Sequence, residues 1–245
     1  MNLLAVTISR KPEKCSLPIP FYCLVESSNF DRYKQQREET YYVTDKRDRA
    51  VAQALSIYPE TTHILSLDTY YLNQTAALEH LLRTYKELDN ENIILGAPIW
   101  FYRKNRIIDN RPKYYDAWGT PEMANLRPWQ VEDWPNITQM TAIGNCIIFP
   151  AWTWKKHRFE TPEPFPLMGS CYTRLCRLSG LPVLMDMEAR LFRDQTNCTE
   201  AVYPLLKRMR VSLGDYKNRL ATGRLLRVLR RTEGIDWTCY SSKII

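Results

Sequence analysis

Histidine is scarce in this chain: there are three, and no two of them lie at the spacing of paired metal ligands. We therefore expect no histidine-based zinc site. The G-x-S-x-G turn of Ser-His-Asp hydrolases, the Walker phosphate loop and the G-x-G-x-x-G turn are also missing, which disfavours hydrolase, kinase and dehydrogenase functions. The seven cysteines are scattered singly, which indicates free thiols in a reducing compartment.

Long apolar runs are missing too, because the longest, Ile143 to Trp154, is too short and too interrupted to span a bilayer. The N-terminus lacks the basic region of a signal peptide and instead predicts a first strand. At 245 residues and 44% hydrophobic, the chain has enough apolar surface for a core without disulfides. We expect a soluble, cytoplasmic protein with one catalytic domain over residues 1–200.

Positive charge is concentrated near the C-terminus of a chain whose net charge is +7. Between Lys207 and Arg231 the single acid is Asp215, among many lysines and arginines. This pattern predicts a basic helical extension over residues 201–245 that packs on the same domain. Such a segment attracts polyanions such as nucleic acid, anionic lipid or substrate phosphates, or it forms a solvated helix face.

Predicted strands and helices alternate over the first hundred residues, which favours an α/β fold with a mostly parallel sheet flanked by helices. Residues 100–140 are rich in aromatics and prolines and predict long loops packed on that sheet. The predicted strands are Leu3–Ser9, Phe21–Glu26, Tyr41–Thr44, His63–Leu67, Asn92–Ile99, Thr141–Pro150, Leu181–Met185 and Glu188–Phe192. The predicted helices are Lys46–Tyr58 with Asp45 as N-cap, Thr75–Leu88, and Cys171–Ser179 with a Gly180 C-cap.

Two acids, Glu26 and Asp68, stand where predicted strands end. Ligands of parallel α/β sheets bind beyond the carboxyl ends of the strands, so these carboxylates are candidates to hold a metal or a sugar. The alternative is that each carboxylate caps the turn that follows its strand.

The order of these features resembles that of GT-A nucleotide-sugar glycosyltransferases, in register over roughly Leu3 to Asp194. Lys46 to Ala50 is similar to the Ala-Arg-Asn-Arg helix start of that family, and His63 to Tyr71 occupies the place of its strand and DxD motif. The other similar segments are Val6–Lys14, Phe21–Glu26, Ile93–Pro98, Ala142–Pro150 and Arg174–Met185.

The resemblance implies a Rossmann-like GT-A fold and transfer of a hexose from a nucleoside diphosphate sugar to an acceptor hydroxyl. It implies that Glu26 and Arg47 contact the nucleotide and that Asp68 faces the ribose, the diphosphate or a metal ion. It also assigns Tyr70 and Asn145 to the nucleotide-sugar site.

The chain departs from the family pattern at three places. Asp68-Thr-Tyr70 stands where DxD is usual, so a manganese or magnesium ion would lack one carboxylate. Either Asp68 and a diphosphate still hold the ion weakly, or Tyr70 and a nearby arginine or lysine replace the charge of the metal ion. Met168-Gly-Ser170 stands where inverting members carry their base. Arg193 replaces a histidine and is expected to stabilise the leaving diphosphate.

Three mechanisms remain open under this resemblance. The enzyme is a retaining transferase that needs no base at that position, or an inverting one with a base elsewhere, or a degenerate member that binds without turnover. The candidate bases by chain position are Asp116, Asp133 and Glu163.

A narrower resemblance concerns the acceptor. Tyr114 to Trp118 looks like the Tyr-Asp-x-Trp cluster of fungal capsule-associated mannosyltransferases, which implies that Asp116 and Trp118 cradle a sugar. Phe21–Glu26 followed by Asn29–Tyr33 is also similar to phage glycosyltransferases that modify DNA bases. The acceptor is therefore a glycan or DNA. The rival hypothesis is a non-catalytic binder of nucleic acid or a membrane surface on a degenerate glycosyltransferase fold.

Overall fold

The computed structural model describes residues 1–26, 36–102, 113–114, 135–140, 143–144, 146–159 and 170–194. The predicted domain boundary at residue 200 and the basic extension over 201–245 lie outside these residues, as does most of the predicted loop region. The strands are β1 (Leu3–Ser9), β2 (Phe21–Val25), β3 (His63–Leu67), β4 (Ile94–Gly96), β5 (Ile99–Tyr102), β6 (Lys113–Tyr114), β7 (Ile137–Met140), β8 (Cys146–Pro150), β9 (Val183–Asp186) and β10 (Leu191–Asp194). The helices are α1 (Gln36–Ile57), α2 (Thr75–Glu87), α3 (Ala151–His157) and α4 (Ser170–Leu178).

Seven strands form the central sheet in the order β2-β1-β3-β8-β4-β9-β7. Strands β1, β2, β3, β4 and β9 point in one direction, whereas β8 and β7 run against their neighbours. The predicted α/β class is confirmed, and the architecture is compatible with a Rossmann-like fold. The sheet is nevertheless mixed, because β8 lies between β3 and β4 and makes both of these pairings antiparallel. A smaller sheet has the order β10-β5-β6.

Helices cover both faces of the central sheet. Successive side chains of a strand point to opposite faces, and Ile64 accordingly packs with the core under α1, α3 and α4, whereas Leu65 packs with the core under α2. All five residues of β3 are buried for this reason. A strand of this kind is expected to be mostly apolar. Ile64, Leu65 and Leu67 follow that pattern, whereas His63 and Ser66 are polar residues that are buried with hydrogen-bond partners.

Two predictions around α1 are wrong. The predicted strand Tyr41–Thr44 lies inside α1, and Asp45 is an exposed residue within the helix instead of its N-cap. The strand tendency of Tyr-Tyr-Val is overridden because α1 packs on the sheet, with Thr44 already buried. Asp45 instead accepts a 2.9 Å hydrogen bond from Nε of Arg49, one helical turn later.

Two further segments differ from the prediction. The run Asn92–Ile99 is divided between the two sheets, since β4 ends at Gly96 and β5 begins at Ile99. Helix α3 follows β8 directly and had not been predicted. In contrast, Gly180 has a φ of 69°, as its predicted place just after a helix requires. No helix within the described ranges combines the length and apolar character that a membrane crossing needs.

Candidate functional site

The candidate site lies at the carboxyl ends of three adjacent strands, β2, β1 and β3. Glu26 follows β2 and its backbone N–H donates to the carbonyl of Ser9 at the end of β1 (2.9 Å). The hydroxyl of Thr7 in β1 donates to the carbonyl of Leu67 in β3 (2.7 Å). These bonds fix the strand ends relative to one another, so Glu26 and Asp68 are both held at the carboxyl ends of the parallel strands.

Asp68 forms an ion pair with Arg47, a residue of α1. Nη2 of Arg47 donates to Oδ1 of Asp68 at 2.7 Å, and the two side chains are only 8% and 18% exposed. Because both groups are largely withdrawn from water, each would be costly to leave without the other. The fold brings the two residues together although they are 21 residues apart in the sequence.

Tyr172 of α4 covers the other side of the Arg47 guanidinium. The centre of that guanidinium lies 4.7 Å from the centroid of the Tyr172 ring, which is a cation–π distance. The Tyr172 hydroxyl in turn shares a 2.7 Å hydrogen bond with the hydroxyl of Ser66 in β3. Arg47 is therefore oriented from two sides, by the Asp68 carboxylate and the Tyr172 ring.

A small cleft opens between these groups. Thr7, Ser66, Arg47 and Tyr172 line it together with apolar residues of β1 and β3, and its volume is about 10 Å³. That volume holds about one water molecule. The cleft therefore admits a single small polar group of any ligand bound at the strand ends.

Glu26 is surrounded by two cationic side chains of α1. Arg49 donates to both carboxylate oxygens, Nη2 to Oε2 at 2.9 Å, and Nζ of Lys46 lies 3.6 Å from Oε2. The hydrogen bonds from Arg49 hold the pKa of the Glu26 carboxyl below its usual value, and the charge of Lys46 acts in the same direction. Lys46, Arg47 and Arg49 thus form a cationic group facing two acids.

The lowered pKa of Glu26 predicts a pH-dependent contribution to stability. Since the folded protein favours the charged carboxylate, the contribution is present above the ordinary pKa of about 4.3 and is lost as the pH falls through the lower folded pKa. Glu26→Gln is expected to lower the free energy of unfolding at pH 6 by about 1 kcal/mol or less, because the site is partly exposed. Urea unfolding of both proteins between pH 6 and pH 3 measures this.

The matched control is Glu79→Gln, which changes an exposed glutamate of α2. We expect the Glu26→Gln deficit to shrink towards pH 3, whereas the Glu79→Gln protein should stay close to the unmodified protein throughout. A Glu26→Gln deficit that is independent of pH would contradict an electrostatic origin.

The structure also tests whether Asp68 caps the turn that follows β3. Residues Thr69–Tyr71 form a short 3₁₀ turn, and the Asp68 side chain makes no capping hydrogen bond to it. The turn-capping alternative is therefore wrong for Asp68, whose carboxylate binds Arg47 instead. Tyr70, predicted to be in the site, is 56% exposed on this turn, whereas Tyr71 is fully buried.

The described residues do not form a preformed metal centre around Asp68. Within these residues no group of three or more His, Cys, Asp and Glu side chains is arranged to hold an ion, and Oδ1 of Asp68 is bonded to Arg47. A manganese or magnesium ion would take most of its oxygen ligands from water and a diphosphate. The prediction of Asp68 as a metal ligand stays a prediction.

Several predicted site residues fall on segments that are not described. Arg193 belongs to β10, beside β5 in the smaller sheet, and its side chain lies outside the described residues. For the other candidates, both the backbone and the side chain lie outside the described residues. These candidates are Asp116, Trp118, Asp133, Asn145 and Glu163.

Sequence reasoning missed four residues of the site: Lys46, Arg49, Ser66 and Tyr172. The i,i+3 spacing of Lys46 and Arg49 was a usable signal, because it places both on the side of α1 that faces Glu26. Tyr172 carried no comparable signal, since its position above Arg47 depends on how α4 packs against α1.

The chain was compared with known protein families and with curated proteins. No family model and no curated protein matches it.

Proposed function

We propose that this protein is a glycosyltransferase that moves a hexose from a nucleoside diphosphate sugar to an acceptor hydroxyl. The observation that carries the proposal is the ion pair between Arg47 and Asp68 at the carboxyl ends of β1 and β3. Parallel α/β sheets bind nucleotides beyond the carboxyl ends of their strands. The resemblance to GT-A enzymes predicted that these two residues contact the nucleotide-sugar donor.

Arg47 is the group that would bind the diphosphate. A guanidinium binds phosphate oxygens with two parallel N–H donors and keeps its charge at any physiological pH. Asp68 and Tyr172 hold Arg47 in place before the ligand arrives, so little reorganisation is needed when negative charge develops on the leaving diphosphate. Arg193 is proposed to contribute to the same charge stabilisation.

Glu26 and its two cationic neighbours would bind the nucleoside end of the donor. The carboxylate accepts hydrogen bonds from ribose or base donors, and Lys46 and Arg49 keep it ionised. Asp68 would face the ribose, the diphosphate or a divalent cation. Tyr70, Trp118 and Asn145 remain proposed sugar contacts, and Asp116 and Glu163 remain proposed catalytic acids or bases.

Thermal unfolding in the presence of nucleotides tests the donor site. We expect one nucleotide, among UDP, GDP, CMP and the corresponding sugar conjugates, to stabilise the protein. At a hundred times its dissociation constant a ligand adds about 2.7 kcal/mol, which is a rise in Tm of about 5–10 °C for a chain of this size. Each ligand is measured with manganese and with a chelator, which reports whether a cation takes part.

The control for this experiment is Arg47→Met, which keeps an unbranched stem but removes the guanidinium and its charge. The variant should lose the nucleotide-dependent rise in Tm, whereas Asp45→Asn on the same helix should keep it. No rise with any nucleotide would contradict the proposal and favour the non-catalytic binder. In that case, a strongly salt-dependent affinity for duplex DNA would point to the basic C-terminal segment.

A further inference from the structure

Helix α3 presents a tryptophan and two lysines on one face. Trp152, Lys155 and Lys156 have i, i+3 and i+4 spacing and are all exposed, and the Trp152 residue is 41% exposed. The opposite side of the helix is buried, with Ala151, Thr153 and Trp154 at most 2% exposed. We name the exposed set Trp152, Lys155 and Lys156 the α3 face.

The α3 face is presented by a helix that is firmly attached to α1. Nε1 of Trp154 donates to Oδ1 of Asp48 (2.8 Å), and the backbone N–H of Phe159 donates to the same oxygen (3.0 Å). The Arg158 guanidinium lies 3.9 Å from the centroid of the Trp154 ring. Trp152 is on the surface because, two residues before the buried Trp154, it lies on the opposite side of the helix.

Among the described residues, the side chains on and beside the α3 face are mostly cationic. Lys155 and Lys156 make no ion pair with any described part of the chain, and the Arg158 side chain is 51% exposed, with Nη1 4.0 Å from Oδ2 of Asp48. The pKa of His157 is lowered by burial and by the charges of Lys156 and Arg174. The end of α3 therefore carries several cations that Asp48 only partly offsets.

We propose that the α3 face docks on an anionic lipid bilayer. The indole ring of tryptophan favours the headgroup level of a bilayer, and lysines flanking it are attracted to anionic headgroups. One exposed indole flanked by two lysines on a single helix face suits a bilayer surface, whereas proteins that bind single-stranded nucleic acid use a basic groove with several stacking aromatics. This attachment is independent of the proposed glycosyltransferase activity, and it differs from the basic segment near the C-terminus.

Sedimentation with vesicles tests the attachment. The full chain is mixed with phosphatidylcholine vesicles that contain or lack phosphatidylserine, and the partition coefficient is measured at 0.1 M salt. We expect binding to the anionic vesicles, about 25-fold weaker for Lys155→Gln/Lys156→Gln because each lysine near the surface contributes about fivefold. We also expect Trp152→Ala to weaken it several-fold.

The matched control neutralises two exposed lysines of the turn after β1, in Lys11→Gln/Lys14→Gln. An equal loss in this control would overturn the proposal, because it would show a general effect of net charge. Unchanged partition of both α3 variants, or no binding by the unmodified chain, would also overturn it. The proposal would also be overturned if the α3 variants lost affinity for a single-stranded oligonucleotide but kept their affinity for vesicles. Circular dichroism and Tm confirm that each variant is folded.

Discussion

Asp68→Ala is expected to lower the free energy of unfolding by about 3 kcal/mol and to abolish nucleotide-induced stabilisation. The first effect follows from burial: Arg47 is only 8% exposed and would keep its charge after losing the Asp68 carboxylate. The second follows because Arg47 would no longer be held where the proposed diphosphate binds. Urea unfolding and nucleotide-dependent Tm measure the two effects on the same protein.

A double-mutant cycle separates the ion pair from other consequences of the substitution. Arg47→Met combined with Asp68→Ala removes both charges, so the double variant should be more stable than the sum of the two single effects predicts, by about 1–3 kcal/mol. Asp45→Ala is the matched control, since it breaks an exposed pair with Arg49 on the same helix and should cost under about 0.5 kcal/mol.

Two outcomes would count against this account. An Asp68→Ala protein as stable as the control would mean that the pair is not effectively buried. A stability loss with nucleotide binding retained would leave the pair as a structural feature and would move the donor site elsewhere.

Gly96→Ala is expected to destabilise the protein by about 1–3 kcal/mol through overpacking. A Cβ atom at Gly96 would overlap Cγ2 of Ile143, and it would lie 2.9 Å from Cδ1 of Ile143 and 3.0 Å from the carbonyl oxygen of Cys146. Ile143 is buried and Cys146 belongs to β8, the strand that pairs with β4. The neighbours therefore have little room to move, and urea unfolding should report the strain directly.

Ile143→Ala provides the matched test of this contact. It removes both side-chain atoms that crowd position 96, so the double variant should lose less stability than the two single variants together, with a coupling of about 1 kcal/mol or more. Gly180→Ala is the control: its φ of 69° costs about 1 kcal/mol, but no atom lies within 4 Å of the added Cβ. Ile143→Ala should not relieve that cost. Additive effects of Gly96→Ala and Ile143→Ala would contradict overpacking.

The local pattern of the sequence determined most of the elements of the central sheet and two of its helices. Strand β3 and helix α2 were predicted nearly to the residue, because a short, mostly apolar run and a regular apolar stripe are strong signals. The pattern also placed Glu26 and Asp68 at strand ends, and it placed Arg47 on a helix, although that helix begins at Gln36 and not at Lys46 as predicted. These are properties of single segments, and they need no knowledge of what packs beside them.

The tertiary structure alone decided which segments meet. Tyr41–Thr44 became helical because α1 packs on the sheet, and β8 entered between β3 and β4. Asp68 pairs with Arg47, which is 21 residues away in the sequence, and Arg47 packs against Tyr172, which is 125 residues away. Such pairings depend on burial and on the order of strands, which are set by the summed packing of many residues. A sequence pattern read one segment at a time does not contain them.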